Sequence, residues 1–376
     1  MVDRERRLLE AAGHTVHQYF APSSEESTDP AWRQAAAAVW NTRVTRQLTS
    51  EIASFRPTVL HVHTPFPLMS PAVFRSAHRE GVPTVSTVHS YRYSCVAATL
   101  RRDGRICEDC VGAKLKLPAV RHRCYHDSLA GSGAMALSLS LHHTIGTFRR
   151  HVDCFLPLTE FSREILIRDG IPPDRVAVKP NFIDDPGPPV AYDEREPVVF
   201  FAGRLVEEKG IRTLLEGWRL AAPARHRLVV AGDGPLRDAV RIAADDDPSI
   251  ELAGWLTAAE VSAFQRTSQL TVVPSEWYEA GPPLVLLEAL AYGTPVLCSD
   301  LENICSTVVE TRAGETFRTG DPVSFAKTLT AFLQDPSAAA TMGKAARELY
   351  QRDHTAEIAL CALEATYRRV AKPATR

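Results

Sequence analysis

Apolar and polar positions along this chain follow two rhythms that take turns. Short β-branched or apolar runs at Thr58 to His63, Pro83 to His89, Asp153 to Pro157, Pro197 to Ala202 and Arg227 to Ala231 read as strands, as do residues 250–252, 270–273 and 295–298. Between them the apolar positions recur at helical spacing, as in Ile211, Leu214, Leu215 and Trp218. Residues 3–12 predict a charged helix with Leu8 and Leu9 apolar, stopped by Gly13 and followed by a strand at Thr15 to Phe20. Further helices are expected at 31–55, 71–80 and 134–150, from Thr159 onward, and at 257–267, 283–292, 321–334, 336–350 and 354–371. Val176 to Asn181 reads as the segment that closes the first domain.

Strand and helix alternating twice over imply an α/β chain of two doubly wound, Rossmann-like parallel-sheet domains facing a cleft. The boundaries fall at 1–183 for an N-terminal domain with a cysteine-rich insert at 95–124, 184–196 for a proline-rich linker, and 197–353 for the second domain. Residues 354–376 supply a C-terminal helix that packs back toward the first domain. The helix at 3–12 should be a crossover between parallel strands, so the first strand of the N-terminal domain is expected to be missing, as in a truncated form.

Composition narrows the class. The chain has 376 residues, 45% hydrophobic and 23% charged, which suits a soluble globular protein. A net charge of −2 argues against a nucleic-acid partner. No apolar run is long enough to span a bilayer and no signal-type core follows Met1, so the cytoplasm is the expected location. Lys114, Lys116, Arg121 and Arg123 lie between apolar residues, an arrangement suited to peripheral contact with an anionic inner membrane face as well as to a solvated basic surface.

Four of eight cysteines cluster at Cys95, Cys107, Cys110 and Cys124. The inner C-x-x-C has the bite of a zinc knuckle, and four thiolates would close a tetrahedral structural site. A reduced, metal-free loop competes with that reading.

The richest stretch runs from Val272 to Pro295. A strand ends at Pro274, an acidic and aromatic loop follows, and a helix begins near Pro282 or Pro283. The free N–H groups of such a helix suit a diphosphate. Glu279 and Glu288 frame the loop and could accept hydrogen bonds from vicinal hydroxyls. Arg204 and Lys209, after the first strand of the second domain, lie on the same expected edge and could grip the same diphosphate. His63 and His89 sit at the ends of two strands of the first domain, again the edge where parallel sheets bind ligands. No P-loop motif occurs, and Gly232-x-Gly234 is too short to be a dinucleotide fingerprint.

These residues carry a resemblance. The G-R-L-x-x-E-K-G at 203–210, the A-G-D-G-P at 231–235 and the acidic stretch 274–295 resemble the retaining glycosyltransferases of family 4 (group 1), which have the two-domain GT-B fold. The resemblance implies transfer of a hexose-type sugar from a UDP- or GDP-sugar to a glycan or lipid-linked acceptor, as in polysaccharide biosynthesis, without a catalytic metal or other cofactor. By matching positions, Arg204 and Lys209 would hold the diphosphate, Glu288 the ribose and Glu279 the donor sugar, with His89 beside the reacting sugar and the first domain, 1–183, on the acceptor side. Gly203, Gly232, Gly281, Pro283 and Leu284 fall in the same donor-binding loops. Two departures stand out. Glu279 and Glu288 enclose eight residues, one more than is usual in the family, and the glycine-rich loop after the first strand has no counterpart. The competing expectations are a non-catalytic or truncated sugar-nucleotide-binding relative and a GT-B sugar-nucleotide epimerase.

Overall fold

The computed structural model describes residues 1–21, 29–67 and 69–371. The chain divides into two compact units, Met1–Pro180 with Ala359–Arg376, and Asn181–Ile358.

In the first unit three parallel strands, β1 (Leu60–Val62), β2 (Thr84–Val88) and β5 (Cys154–Pro157), lie in the order β1-β2-β5. A small antiparallel hairpin, β3 (Arg101–Arg102) and β4 (Arg105–Ile106), stands apart, turned by Asp103 and Gly104 at positive φ. All five residues of β2 are buried, as a strand covered on both faces must be. Phe74, Met135, Leu139, Phe148 and Phe155 fill one side. Leu9, Val85, Leu156 and Leu363 fill the other, so the helices Val2–Ala11 and Ala356–Val370 share the back of this sheet.

Local chemistry corrects several expected elements. Thr15 to Phe20 forms no strand: it has no ladder partner among the described residues, with His17 and Tyr19 bonded to Glu51 and Gln47 of the helix Thr42–Phe55 and Phe20 71% exposed. The helix expected at 31–55 is two, Ala31–Val39 and Thr42–Phe55, because Asn41 caps the second by accepting from Val44 N–H at 3.0 Å. The apolar helix begins earlier, at Leu129 after the Ser128 cap. It ends at Thr144, before Gly146 at φ 74°. Past Val176, which makes a single bridge to Phe155, the chain lies beside β5, and Lys179 N–H donates to Pro157 O at 2.9 Å.

The second unit is a six-stranded parallel sheet in the order β11-β10-β9-β6-β7-β8. Its strands are β6 (Glu196–Ala202), β7 (Arg227–Ala231), β8 (Ile250–Gly254), β9 (Ser268–Val273), β10 (Val296–Ser299) and β11 (Gly314–Phe317). The helix Glu302–Val309 and strand β11 after it were not expected from the sequence pattern. The order reverses between β6 and β9: β7 and β8 grow outward on one side, β10 and β11 on the other.

Residues 181–183 join the second unit rather than the first. His354 clamps them, its Nδ1 bonding Asn181 O at 3.1 Å and its carbonyl accepting from Ile183 N–H at 3.0 Å. The 184–196 stretch is likewise packed on this unit. Asp185 accepts from Arg347 at 2.8 and 2.9 Å, and the buried Arg195 donates to Tyr292 O at 2.7 Å and Ser268 O at 3.1 Å.

Candidate functional site

All strands of the six-stranded sheet run the same way, so the loops after β6, β7, β9 and β10 leave from one edge. The crevice between β6 and β9, where the order reverses, is the place such sheets offer a ligand. Glycines bring the backbones there closer than any side chain would allow. A Cβ on Gly232 would meet Gly203 O at 1.8 Å, one on Gly234 would meet Leu205 O at 2.6 Å, and one on Gly210 would meet Pro274 O at 1.8 Å. Leu205 N–H donates to Asp233 O at 2.9 Å and Glu276 N–H to Glu208 O at 2.8 Å, closing the three loops into one floor.

On that floor Lys209 Nζ lies 2.5 Å from Glu279 Oε1, which also accepts from Ser275 Oγ at 2.9 Å. The buried Asn303 holds the Glu279 carbonyl, and Ser299 Oγ holds Ser275 O at 2.6 Å, so β10 and the helix after it fix the loop. Lys209 also stands 6.0 Å from the centre of the Trp277 ring. Arg204 is different: it is exposed, and its side chain makes no hydrogen bond or ion pair among the described residues. Pro283 occupies the cap position of the helix Leu284–Ala291 rather than its first turn, and no side chain caps the helix. Its first N–H groups are thereby left for an anion. Glu288 is half-buried on this helix, while Gly281 is buried in the loop before it.

The first unit builds its edge from side chains. His63 follows β1 and His89 follows β2, with His63 Nδ1 2.9 Å from His89 Nε2 and the rings stacked at 5.3 Å. Glu5, from the charged N-terminal helix, is 2% exposed and pairs with the equally buried Lys179. Its Oε2 has no hydrogen-bond partner and faces His63 Nε2 at 3.6 Å. That carboxylate favours the tautomer with the proton on His63 Nε2, so Nδ1 accepts from His89 Nε2–H and His89 Nδ1 is left as an acceptor. His61 is spent elsewhere, on Thr87 Oγ1 at 2.8 Å and Tyr367 OH at 2.7 Å. Burial, with the His61–His63–His89 neighbours and Lys179 adding to it, holds these rings neutral. His63 and His89 both fall to about 4, His63 chiefly through burial and Lys179, His89 through burial and His63. His63, His89, Phe66, Ser90, Arg92 and Tyr93 line an open cavity of ≈ 110 Å³.

Sequence reasoning placed Arg204, Lys209, Glu279 and Glu288 in adjoining loops and on the helix they lead to. It passed over Glu5 and Lys179, because a glutamate in a helix with charged neighbours reads as solvated. Lys179 carried a usable signal, a lone cation in an otherwise apolar run against β5. Cys95, Cys107, Cys110 and Cys124 line one cavity beside the hairpin, all as free thiols, and burial raises Cys110 to about 11. Among the described residues no helix is long and apolar enough to cross a membrane.

Residues 1–185 match the family model Glycosyltransferase Family 4, and residues 196–335 match Glycosyl transferases group 1. The chain is 26% identical over 279 residues to a Bacillus subtilis (strain 168) protein named as the teichuronic acid biosynthesis glycosyltransferase TuaC, covering 73% of this chain and 59% of the relative. It is 27% identical over 189 residues to the 2-deoxystreptamine glucosyltransferase of Streptomyces kanamyceticus, covering 49% and 48%. The matched segments thus span about half the length of these curated relatives. Among solved structures, Anabaena HepE in complex with UDP superposes with a TM-score of 0.64 at 14% identity, covering 86% of this chain and 82% of that one. Sucrose-phosphate synthase from Thermosynechococcus elongatus gives 0.63 at 19% identity, covering 91% and 80%. These likenesses show the GT-B fold.

Proposed function

Because the chain belongs to the family 4 glycosyltransferases (group 1), we propose that it moves a hexose-type sugar from a nucleoside-diphosphate sugar to a glycan or glycolipid acceptor, with the anomeric configuration retained. The observation that carries this reading is the floor at the β6–β9 reversal. There an unpaired Arg204, the Lys209–Glu279 pair and an uncapped helix N-terminus belong to loops that adjoin one another.

Such a floor suits a diphosphate leaving group. As the bond from the anomeric carbon to the diphosphate oxygen breaks, negative charge grows on the departing phosphate. Arg204, Lys209 and the helix N–H groups supply fixed positive charge to meet it, so no catalytic metal is required. Glu288 takes the ribose hydroxyls and Glu279 those of the donor sugar, while Gly203, Gly232, Gly281, Pro283 and Leu284 shape the backbone around them. Neutral His89 offers an acceptor nitrogen to a sugar hydroxyl, and its tautomer is set by His63 and Glu5. The UDP held by HepE supports a uridine donor, with a GDP-sugar the other candidate.

The test is a thermal-shift screen of the chain against UDP-, GDP- and ADP-sugars, followed by donor hydrolysis and by the anomeric configuration of any product. A shift for one donor with hydrolysis that survives chelator, both lost in Arg204→Ala and Glu288→Ala, is the expected result. A shift without turnover on any acceptor would make the protein a sugar-nucleotide binder. Conversion of the donor alone to its epimer would make it an epimerase.

A further inference from the structure

We propose that Cys95, Cys107, Cys110 and Cys124 form a structural site for a thiophilic divalent metal, zinc above all, that staples the insert to the first unit. The proposal is independent of the sugar-transfer reading.

The four cysteines span thirty residues of sequence yet line a single cavity with about 20 Å³ of free space, room for one water-sized sphere. The carboxylates of the C-x-x-C segment are paired. Asp109 also lines the cavity, but its carboxylate accepts from Arg102 at 2.7 Å, and Glu108 accepts from Arg168 at 2.6 Å, which leaves the four sulfurs as the donors outside an ion pair. A sulfur-only set selects zinc over magnesium or calcium. Four thiolates around a divalent ion carry a net charge of −2, and Arg101 lines the cavity beside the Arg102–Asp109 pair to offset part of it.

The insert has little else to hold its shape. Between residues 95 and 124 its regular elements are a two-residue-per-strand hairpin and the helix Leu117–Arg121. Ala98, Leu100, Asp103 and Arg123 all sit at positive φ without being glycine. Backbone of that kind persists where surrounding bonds over-determine it. Two anchors are visible: Glu108 pairs with Arg168 at 2.6 Å, and the buried Lys116 donates to Cys110 O at 2.8 Å and to Asp169 Oδ1 at 2.7 Å, while Gly112 N–H reaches the same oxygen. Both act on the stretch from Glu108 to Lys116. A metal joining Cys95, the C-x-x-C pair and Cys124 would secure both ends. In the thiol form no three of these sulfurs lie within 4.8 Å of one another, so binding has to draw them inward. Small loop-rich segments commonly depend on such a cross-link.

The chain purified without chelator should hold about one zinc per molecule by elemental analysis. Its cobalt-substituted form should show the d–d bands of a tetrahedral thiolate site. Cys107→Ser with Cys110→Ser should lose the metal and melt several degrees lower, whereas Cys361→Ser should keep both properties. Should the double variant prove insoluble, the parent decides. Chelator should release the zinc and expose four further thiols to a thiol reagent. Metal-free parent protein whose four thiols react at once would overturn the proposal, as would a disulfide among them found by mass spectrometry.

Discussion

The two sheet edges that carry the candidate residues are built by opposite means. In the second unit the edge is a backbone construction: Gly210, Gly232 and Gly234 let three loops touch at distances no Cβ tolerates, with Lys209 paired to Glu279 and Arg204 exposed. In the first unit the edge is a side-chain construction. Glu5 pairs with Lys179 and faces His63, His63 bonds His89, and His61 stacks on His63, so little of that network reaches solvent. A backbone floor keeps its charged groups available for a polyanion. A buried network spends its charges on itself and leaves one tuned nitrogen for a ligand.

The contrast is open to direct test, and the floor should break hardest. Gly210→Ala places a Cβ against Pro274 O at a φ of 69°, so unfolding measurements should show a loss on the order of 5 kcal/mol. A loss below about 1 kcal/mol would mean the loops are not closed as described.

Next comes Lys179→Ala, which leaves Glu5 buried without its partner. It should cost about 3–4 kcal/mol in denaturant unfolding, and Lys179→Met with Glu5→Leu should recover most of it. No recovery in the double variant would show that packing of the lysine stem matters more than charge.

The third effect is pH-dependent. His63 and His89 have folded values near 4, against about 6.5 for free histidine. Below pH 6.5 the unfolded chain binds protons that the folded chain refuses, so stability is fully present above pH 6.5. It falls as pH drops toward 4. His142 and His151 lie near 4 as well and share this slope, so the comparison is between parent and variant. His63→Gln should flatten the fall by about 1–2 kcal/mol between those limits, seen in melting temperatures across pH. An unchanged slope would place His63 outside the coupled network.

The smallest stability effect belongs to Arg204→Ala, within about 0.5 kcal/mol of the parent. Its affinity for a nucleoside diphosphate should nonetheless fall at least about tenfold by calorimetry, the loss of one charge-assisted contact. A destabilised variant would show that Arg204 has partners in the fold.

The same contrast explains what could be read in the sequence. Glycine-and-charge loops after strands announce themselves locally, so Arg204, Lys209, Glu279 and Glu288 were placed on adjoining elements from spacing alone. The strands of the second unit were legible because Val198 to Phe201 is apolar on both faces. The Glu5 network is assembled from the first helix, three strand ends and the C-terminal helix, and no local pattern announces burial gathered across more than 170 residues. Asn41 did carry a local signal, as a helix cap inside a helical pattern, but a continuous run of helix formers outweighed it. Thr15 to Phe20 had the opposite fault: its composition suits a strand, but a strand exists only where a neighbour pairs with it.

One consequence follows from the Lys209–Glu279 pair. Each is the other's counter-ion, at 2.5 Å. A diphosphate that takes the ammonium therefore evicts the carboxylate, and the evicted group is the one assigned to the sugar's hydroxyls. Binding at the phosphate end would thus arm recognition at the sugar end, and a free hexose, arriving alone, would find that carboxylate already engaged.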